Sequence, residues 1–240
     1  MENFGAERMV LQEKGYVVLP GVFDSEAVDG LASLIDAVEG DRETFRKTDD
    51  LFAIRQFLKE VPGIKPYVFS WRLQHIIQQV CGKGYFVVKS IYFDKPSRSN
   101  WFVAYHQDLT ISTASKHMVD GFVNWTVKQG QYAVQPPVGI LEQNFTIRIH
   151  LDETDAGNGA LRVVPGSHTK GVIPPAEFAK LAQKETLCAV PRGGVMLMKP
   201  LLLHASGRTT SHERRRVIHI ECSNMALPEP LQWGEQDDIF

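Results

Sequence analysis

Two neighbouring stretches, LEQNFTIRIHLDE (141–153) and GALRVVPGSH (159–168), carry the pattern that decides the fold of this 240-residue chain. Each stretch is short and bounded by turn-forming residues, and each contains β-branched residues, a combination typical of a β-strand. Similar runs occur at 85–95, 101–109, 193–206 and 214–223. The succession predicts an antiparallel β architecture, a sandwich or barrel that encloses a cavity.

The first part of the chain has a mainly helical pattern. Its predicted elements are a helix at about 3–14, a strand at 15–23, and helices at about 24–38 and 66–80. We expect these helices to pack against the outside of the sheet. Residues 109–137 read as a long loop over the cavity, and 169–187 as an excursion that holds a short helix. We expect one domain over 1–240, with a helical region to about 83 and a β core at about 84–225.

The composition is compatible with a neutral or mildly polar small-molecule partner. The chain has 26 basic and 28 acidic residues, a net charge of -2, which gives no electrostatic basis for binding nucleic acid or an anionic membrane. Its three cysteines are far apart and match neither a disulfide framework nor a CxxC site. The N-terminus contains acids where a signal peptide needs a basic start, and we therefore expect a cytoplasmic protein.

The stretch YHQDLT (105–110) holds a candidate metal-binding pair, His106 and Asp108. In a strand, residues two apart point to the same face, so both side chains can reach one ion. Two imidazoles and one carboxylate form the facial triad of iron(II) oxygenases. The strongest candidate for the third ligand is His204, which we expect at the end of an apolar strand in LLLHASG, where a turn opens toward the cavity.

Three consecutive arginines, Arg214 to Arg216, begin the strand-like run that follows His204. A dicarboxylate cosubstrate needs a buried cation, and arginine binds a carboxylate through two parallel hydrogen bonds. Strand alternation places Arg215 on one face with His219, and Arg214 and Arg216 on the other face. Periodicity alone does not select the inward face.

The ordered set FDKPSRSNWFVAYHQD, RIHLDETDAGNGALRVVPGSH and LLLHASG, followed by an arginine strand, resembles the phytanoyl-CoA dioxygenase family. Members of this family are iron(II)- and 2-oxoglutarate-dependent oxygenases. The resemblance covers most of the chain and implies a mainly β fold with flanking helices, namely a cupin-like double-stranded β-helix, or jelly roll. It also implies iron(II), 2-oxoglutarate and O2 as reactants, with ascorbate as a candidate reductant.

Site residues follow from the same resemblance. It implies iron ligands at His106, Asp108 and His204, and cosubstrate binding by Arg215 and Ser206. Trp125 is expected to line the cosubstrate pocket. An aspartate at 108 favours oxygenation, because related halogenases carry a small residue there.

Several interpretations remain open at this stage. The favoured reaction is hydroxylation of a small organic metabolite, with release of succinate and carbon dioxide. Alternatives are desaturation, epimerisation or ring formation, as in relatives from secondary metabolism, and a catalytically silent jelly roll that binds a small molecule. His150 and His219 are interpreted as hydrogen-bonded core residues. Arg148 either points into the cavity or pairs with an acid.

Overall fold

The computed structural model describes residues 2–38, 42–97, 99–128 and 130–240. Among them, the helices are α1 (Gly5–Lys14), α2 (Ser25–Asp36), α3 (Phe57–Glu60), α4 (Lys65–Val68), α5 (Trp71–Val80), α6 (Val138–Gln143) and α7 (Pro175–Ala182). The strands are β1 (Tyr16–Leu19), β2 (Phe45–Thr48), β3 (Leu51–Arg55), β4 (Phe86–Lys95), β5 (Val103–His106), β6 (Ile111–Thr113), β7 (Val123–Lys128), β8 (Gln131–Gln135), β9 (Phe145–His150), β10 (Leu161–Val163), β11 (Thr186–Cys188), β12 (Val195–Met198), β13 (His204–Ser206), β14 (Arg215–Ser223) and β15 (Asp237–Asp238). None of these helices is long and apolar enough to cross a membrane.

The strands form antiparallel sheets, and two of these make the jelly roll. The major sheet has the order β1-β12-β9-β14-β4-β3-β2, with β15 beside β4, and the minor sheet has the order β11-β10-β13-β5. Side chains from both sheets line one common cavity, so the two sheets face each other. The predicted fold class, a mainly β jelly roll with flanking helices, is confirmed.

The central strands of the major sheet are buried on both faces, and the two faces differ in chemistry. On β9, Ile147 and Ile149 belong to the main hydrophobic core, which also contains Leu31 of α2 and Ile77 of α5. The alternate position 148 is an arginine that lines the cavity. This alternation attaches the helices to the outside of the sheet and leaves polar side chains for the interior.

The ends of the predicted helices follow from capping side chains. The carboxylate of Asp24 accepts a hydrogen bond from the backbone N–H of Ala27 and starts α2. The hydroxyl of Ser70 accepts from the N–H of Leu73 and starts α5. Because α5 begins at Trp71, the helix expected at about 66–80 is divided into α4 and α5.

Two expectations about connections are wrong. Residues 109–137 are not a long loop, because β6, β7 and β8 form a three-stranded sheet in this stretch. His204 does not end an apolar strand: the run that precedes it divides into β12 and a turn, and His204 begins β13. The short helix expected within 169–187 is present as α7.

Candidate metal centre and cosubstrate cavity

A cavity of about 220 Å³ lies between the two sheets. It is lined by Phe93, Trp101, Val103, His106, Asp108, Arg148, Leu161, His204, Ser206, Arg215 and His219. A larger surface groove of about 610 Å³ lies beside α5 and is lined by Glu2, Trp71, Arg72 and His75. The smaller cavity contains the predicted metal ligands, so we assign the candidate site there.

The two candidate histidine ligands face each other across paired strands. His204 of β13 lies directly opposite His106 of β5, and their ring centroids are 4.2 Å apart. Asp108 lies just beyond the end of β5, with its carboxylate 3.6 Å from Nε2 of His106 and 3.9 Å from Nε2 of His204. One ligand atom from each residue lies within 4.8 Å of the others, so this group can hold a metal ion.

Backbone hydrogen bonds determine which nitrogen of each imidazole is available. Nδ1 of His106 lies 2.9 Å from the carbonyl oxygen of Ala104, and Nδ1 of His204 lies 2.8 Å from that of Leu202. A carbonyl only accepts, so Nδ1 carries the proton in both rings and Nε2 keeps its lone pair for a metal. This is the outer-shell arrangement found around metal-binding histidines.

The protonation states also suit metal binding. Burial lowers the pKa of His204 to about 4, which keeps this imidazole neutral at physiological pH. Burial raises the pKa of Asp108, but the adjacent His204 and His106 lower it further, and the net effect keeps the carboxylate ionised. Neutral imidazole and ionised carboxylate are the forms that coordinate iron(II).

Gln107, between the two ligands of the HxD pair, attaches them to the surrounding chain. Its buried side-chain amide donates to the carbonyls of Gly171 and Leu201, at 2.8 and 2.7 Å, and its oxygen accepts from the N–H of Ile173 at 2.8 Å. The N–H of Asp108 donates to the carbonyl of Pro200 at 2.9 Å. These bonds connect the ligand pair to the turn that precedes β13 and to the segment that precedes α7.

The three arginines point to opposite faces of the sheet, in the alternation that the sequence predicted. Arg214 forms an ion pair with Asp94, with a shortest contact of 2.5 Å, and Arg216 pairs with Asp152 at 2.7 Å. Arg215 points the other way, into the cavity, and is only 3% exposed. Within the described residues no carboxylate pairs with it.

Arg215 is held at the end of the cavity by Gly159. Nη1 of Arg215 donates to the carbonyl oxygen of Gly159, and its Nε has no hydrogen-bond partner among the described residues. Burial, together with the charge of Arg148, lowers its pKa to about 9. Gly159 has a φ of +82°, and a Cβ there would lie 2.7 Å from the carbonyl oxygen of Gly207, so a larger residue does not fit.

Ser206 and Lys95 lie beside Arg215. Ser206 is buried and lines the cavity, and its hydroxyl has no hydrogen-bond partner within the described ranges. Lys95 lies opposite Arg215 on β4 and donates to the carbonyl of Gly207 at 2.6 Å. Burial and the neighbouring Arg215 lower the pKa of Lys95 to about 8. The cavity therefore presents the guanidinium of Arg215 and the unpaired hydroxyl of Ser206, which suit a carboxylate.

Trp125 does not belong to this arrangement. It lies on β7 and packs against the hydrophobic cluster that contains Ile111 and Phe122. It is not among the residues that line the cavity. The structure therefore gives no contact that supports a place for Trp125 in the cosubstrate pocket, and Trp101, stacked on Phe93 at 6.3 Å, forms the aromatic wall instead.

Sequence reasoning missed a polar network behind the candidate metal centre. Arg148 and His219 both line the cavity, and Nη1 of Arg148 lies 3.0 Å from Nδ1 of His219. Nε2 of His219 lies 3.3 Å from Glu221, which forms a 2.6 Å ion pair with Lys89. The sequence feature that could have revealed this network is the alternation of β14, which places His219 and Glu221 on the same face as Arg215.

His150 is a buried core residue bonded to Thr154, as expected.

The fold and the site together define a jelly-roll protein with a candidate two-histidine, one-carboxylate metal centre. The family model for phytanoyl-CoA dioxygenase (PhyH) matches residues 11–217, which is most of the chain. The chain therefore belongs to the phytanoyl-CoA dioxygenase family, as the sequence motifs predicted. The comparison with curated proteins found no match.

Solved structures with the same fold include proteins with different named activities. Apo EctD from S. alaskensis is 20% identical with a TM-score of 0.72, over 94% of this chain and 79% of EctD. EctD was also crystallised with Fe, and with 2-oxoglutarate and 5-hydroxyectoine. The α-ketoglutarate-dependent carbocyclase SnoK from nogalamycin biosynthesis is 16% identical (TM-score 0.64, 93% and 87% covered). The epimerase SnoN of the same biosynthesis is 14% identical (TM-score 0.64, 91% and 81% covered).

Proposed function

We propose that this protein is an iron(II)- and 2-oxoglutarate-dependent dioxygenase that hydroxylates an unactivated C–H bond of a small organic molecule. The observation that carries the proposal is the pairing of two features in one cavity. Three side chains that can hold a metal ion line the same cavity as a buried guanidinium, that of Arg215, which has no carboxylate partner among the described residues. Burying an unpaired charge is costly, so this arrangement favours a ligand that supplies the missing carboxylate.

In this proposal, His106, Asp108 and His204 hold iron(II), and Arg215 and Ser206 bind the far carboxylate of 2-oxoglutarate. When bound, iron and 2-oxoglutarate supply the oxidation chemistry, with O2 as oxidant, ascorbate as a candidate reductant, and succinate and carbon dioxide as products. The protein residues hold both reactants in fixed positions, and Phe93 and Trp101 shield one wall from water. We further propose that residues 1–240 form one domain, because β1 joins the edge of the major sheet.

The first experiment measures succinate formed from 2-oxoglutarate in the absence of a primary substrate. Wild-type protein should form succinate only with iron(II), and His106→Ala should reduce the rate by more than ~100-fold, because loss of an outer-shell partner already costs ~10–100-fold. His117→Ala, which changes a histidine that does not line the cavity, is the matched control. A protein that binds neither iron(II) nor 2-oxoglutarate would be the catalytically silent jelly roll instead.

A second candidate function keeps the same reactants and changes the outcome to ring formation, epimerisation or desaturation. The fold shared with SnoK and SnoN favours it, since these two proteins use one architecture for different reactions. Mass spectrometry of the product separates the candidates. Hydroxylation adds an oxygen atom, ring formation or desaturation removes a pair of hydrogen atoms, and epimerisation leaves the mass unchanged.

A further inference from the structure

Arg148 is a second buried guanidinium in the same cavity. It is 8% exposed, and no carboxylate forms an ion pair with it in the part of the chain that the structure describes. Its Nη1 bonds to His219, whereas its Nε has no hydrogen-bond partner among those residues. Burial lowers the pKa of Arg148 to about 10, so it remains charged at neutral pH. Burying a cation without a partner is costly, which suggests that an anionic ligand binds to it.

The hydrogen bonds behind Arg148 hold it in one orientation. Arg148 can only donate and the carboxylate of Glu221 can only accept, so His219 must carry its proton on Nε2 and accept at Nδ1. Burial lowers the pKa of His219, which favours this neutral form. Lys89 neutralises Glu221 at 2.6 Å. The network therefore supports the guanidinium without neutralising it, and leaves its charge for a ligand.

The two cavity arginines lie at different places relative to the metal ligands. Arg148 is opposite His219 in the sheet, four residues along β14 from Arg215, a separation of ~13 Å along the strand. Asp108 acts on the pKa of Arg148, whereas the pKa of Arg215 is set by burial and by Arg148. Arg148 is thus nearer to the candidate metal centre, and Arg215 is farther from it.

We propose that Arg148 binds the carboxylate adjacent to the keto group of 2-oxoglutarate, so that the cavity holds the two ends of the cosubstrate between two arginines. This inference rests on the proposed function. A cosubstrate with a carboxylate at each end matches a cavity with a guanidinium toward each end. By binding this carboxylate, Arg148 would orient the cosubstrate in the cavity.

The test uses the protein loaded with Ni(II), which prevents turnover, and measures binding by titration calorimetry. The two ligands are 2-oxoglutarate and 2-oxopentanoate, which has the same carbon chain but lacks the far carboxylate. Arg148→Met should weaken binding of both ligands by the same factor, ~10- to 100-fold, as expected for the loss of charge-assisted hydrogen bonds. Arg215→Met should weaken only 2-oxoglutarate. Arg214→Met, on the outer face, should change neither affinity.

The proposed function and the inference about Arg148 are refuted by different outcomes. If the nickel-loaded wild-type protein does not bind 2-oxoglutarate, the proposed function fails. If it binds and prefers 2-oxoglutarate to 2-oxopentanoate, but Arg148→Met keeps both affinities, the inference about Arg148 is wrong. It is also wrong if this variant weakens only 2-oxoglutarate, because Arg148 would then contact the far carboxylate. His219→Leu keeps Arg148 but removes its support, and a smaller loss with both ligands is expected even if Arg148→Met does not fold.

Discussion

Replacing Arg215 with methionine should stabilise the protein that has bound neither metal nor 2-oxoglutarate, although it weakens the proposed cosubstrate site. Methionine fills a similar volume without a charge. The guanidinium of Arg215 is buried without a carboxylate partner among the described residues. Replacement of buried charged groups by apolar residues of similar size is often stabilising, by ~1–4 kcal/mol.

The magnitude follows from two opposing contributions. Burial, with the charge of Arg148, lowers the pKa of Arg215 to about 9, and at ~1.4 kcal/mol for each pKa unit this corresponds to a cost of ~5 kcal/mol for keeping the group charged. The variant loses the hydrogen bond to the carbonyl of Gly159, which at a charged donor contributes up to ~3 kcal/mol. The difference predicts that Arg215→Met raises the free energy of unfolding by ~2 kcal/mol.

Urea denaturation with and without ligands measures this prediction. Without ligands, the variant should unfold at a higher urea concentration than the wild type, with an unchanged dependence on urea. With Ni(II) and 2-oxoglutarate at ~100 times its dissociation constant, the wild type gains ~2.7 kcal/mol and the order of stability is lost or reversed. Lys65→Met, which removes an ion pair with Asp237 that is exposed on both sides, is the control and should leave the stability nearly unchanged. A ligand-free Arg215→Met protein that is less stable than the wild type would contradict this reasoning.

Further predictions concern the residues around the candidate metal centre. Gln107→Leu should lower the free energy of unfolding in urea by ~3 kcal/mol, because it removes three buried hydrogen bonds of ~1 kcal/mol each, whereas the exposed Gln183→Leu should not. Glu221→Leu should cost ~3–5 kcal/mol because it leaves Lys89 buried without its partner, and adding Lys89→Met should restore much of that loss. The metal-free protein should lose ~3 kcal/mol as the pH falls from 6.5 toward 4, since His204 takes up its proton at pH 6.5 when unfolded but at about 4 when folded. His204→Gln should remove this part of the pH dependence in denaturation curves measured across that range.

The fold could be predicted from the sequence where strands are long enough to show a pattern. The β9 segment alternates between apolar residues that face the helices and polar residues on the opposite face, where Arg148 lines the cavity, and this alternation indicates a strand. The three-stranded sheet at 111–135 could not be predicted in this way. Its first strand has only three residues, and its second contains Asn124 with a φ of +56°, so the segment resembles a turn.

The residues of the candidate site also fall into two groups, those that the sequence could predict and those that it could not. Local patterns suggested His106, Asp108 and His204, whereas the family resemblance was needed to choose Arg215 among three arginines. The structure brings all four residues to one cavity. The network behind Arg148 has no local pattern. It depends on which residues lie opposite each other across β4, β14 and β9, and a pairing register between strands distant in sequence is not visible in any single stretch.

The paired arginines on the outer face of β14 explain why the inner one stays in place. Both ion pairs are partly buried, with the side chains of Asp94 and Asp152 10% and 20% exposed, and the cost of burying two charges offsets much of the attraction between them. The ion pairs instead specify the register of β14, that is, which of its residues face the cavity. Asp152 accepts from both the side chain and the backbone N–H of Arg216, and this pair of bonds is possible in only one alignment of β14. A slip by one residue would turn Arg215 away from the cavity and bring Arg214 or Arg216 into it, next to a face that lacks their carboxylate partners. The ion pairs of Arg214 and Arg216 therefore determine that Arg215 is the arginine that lies unpaired inside the cavity.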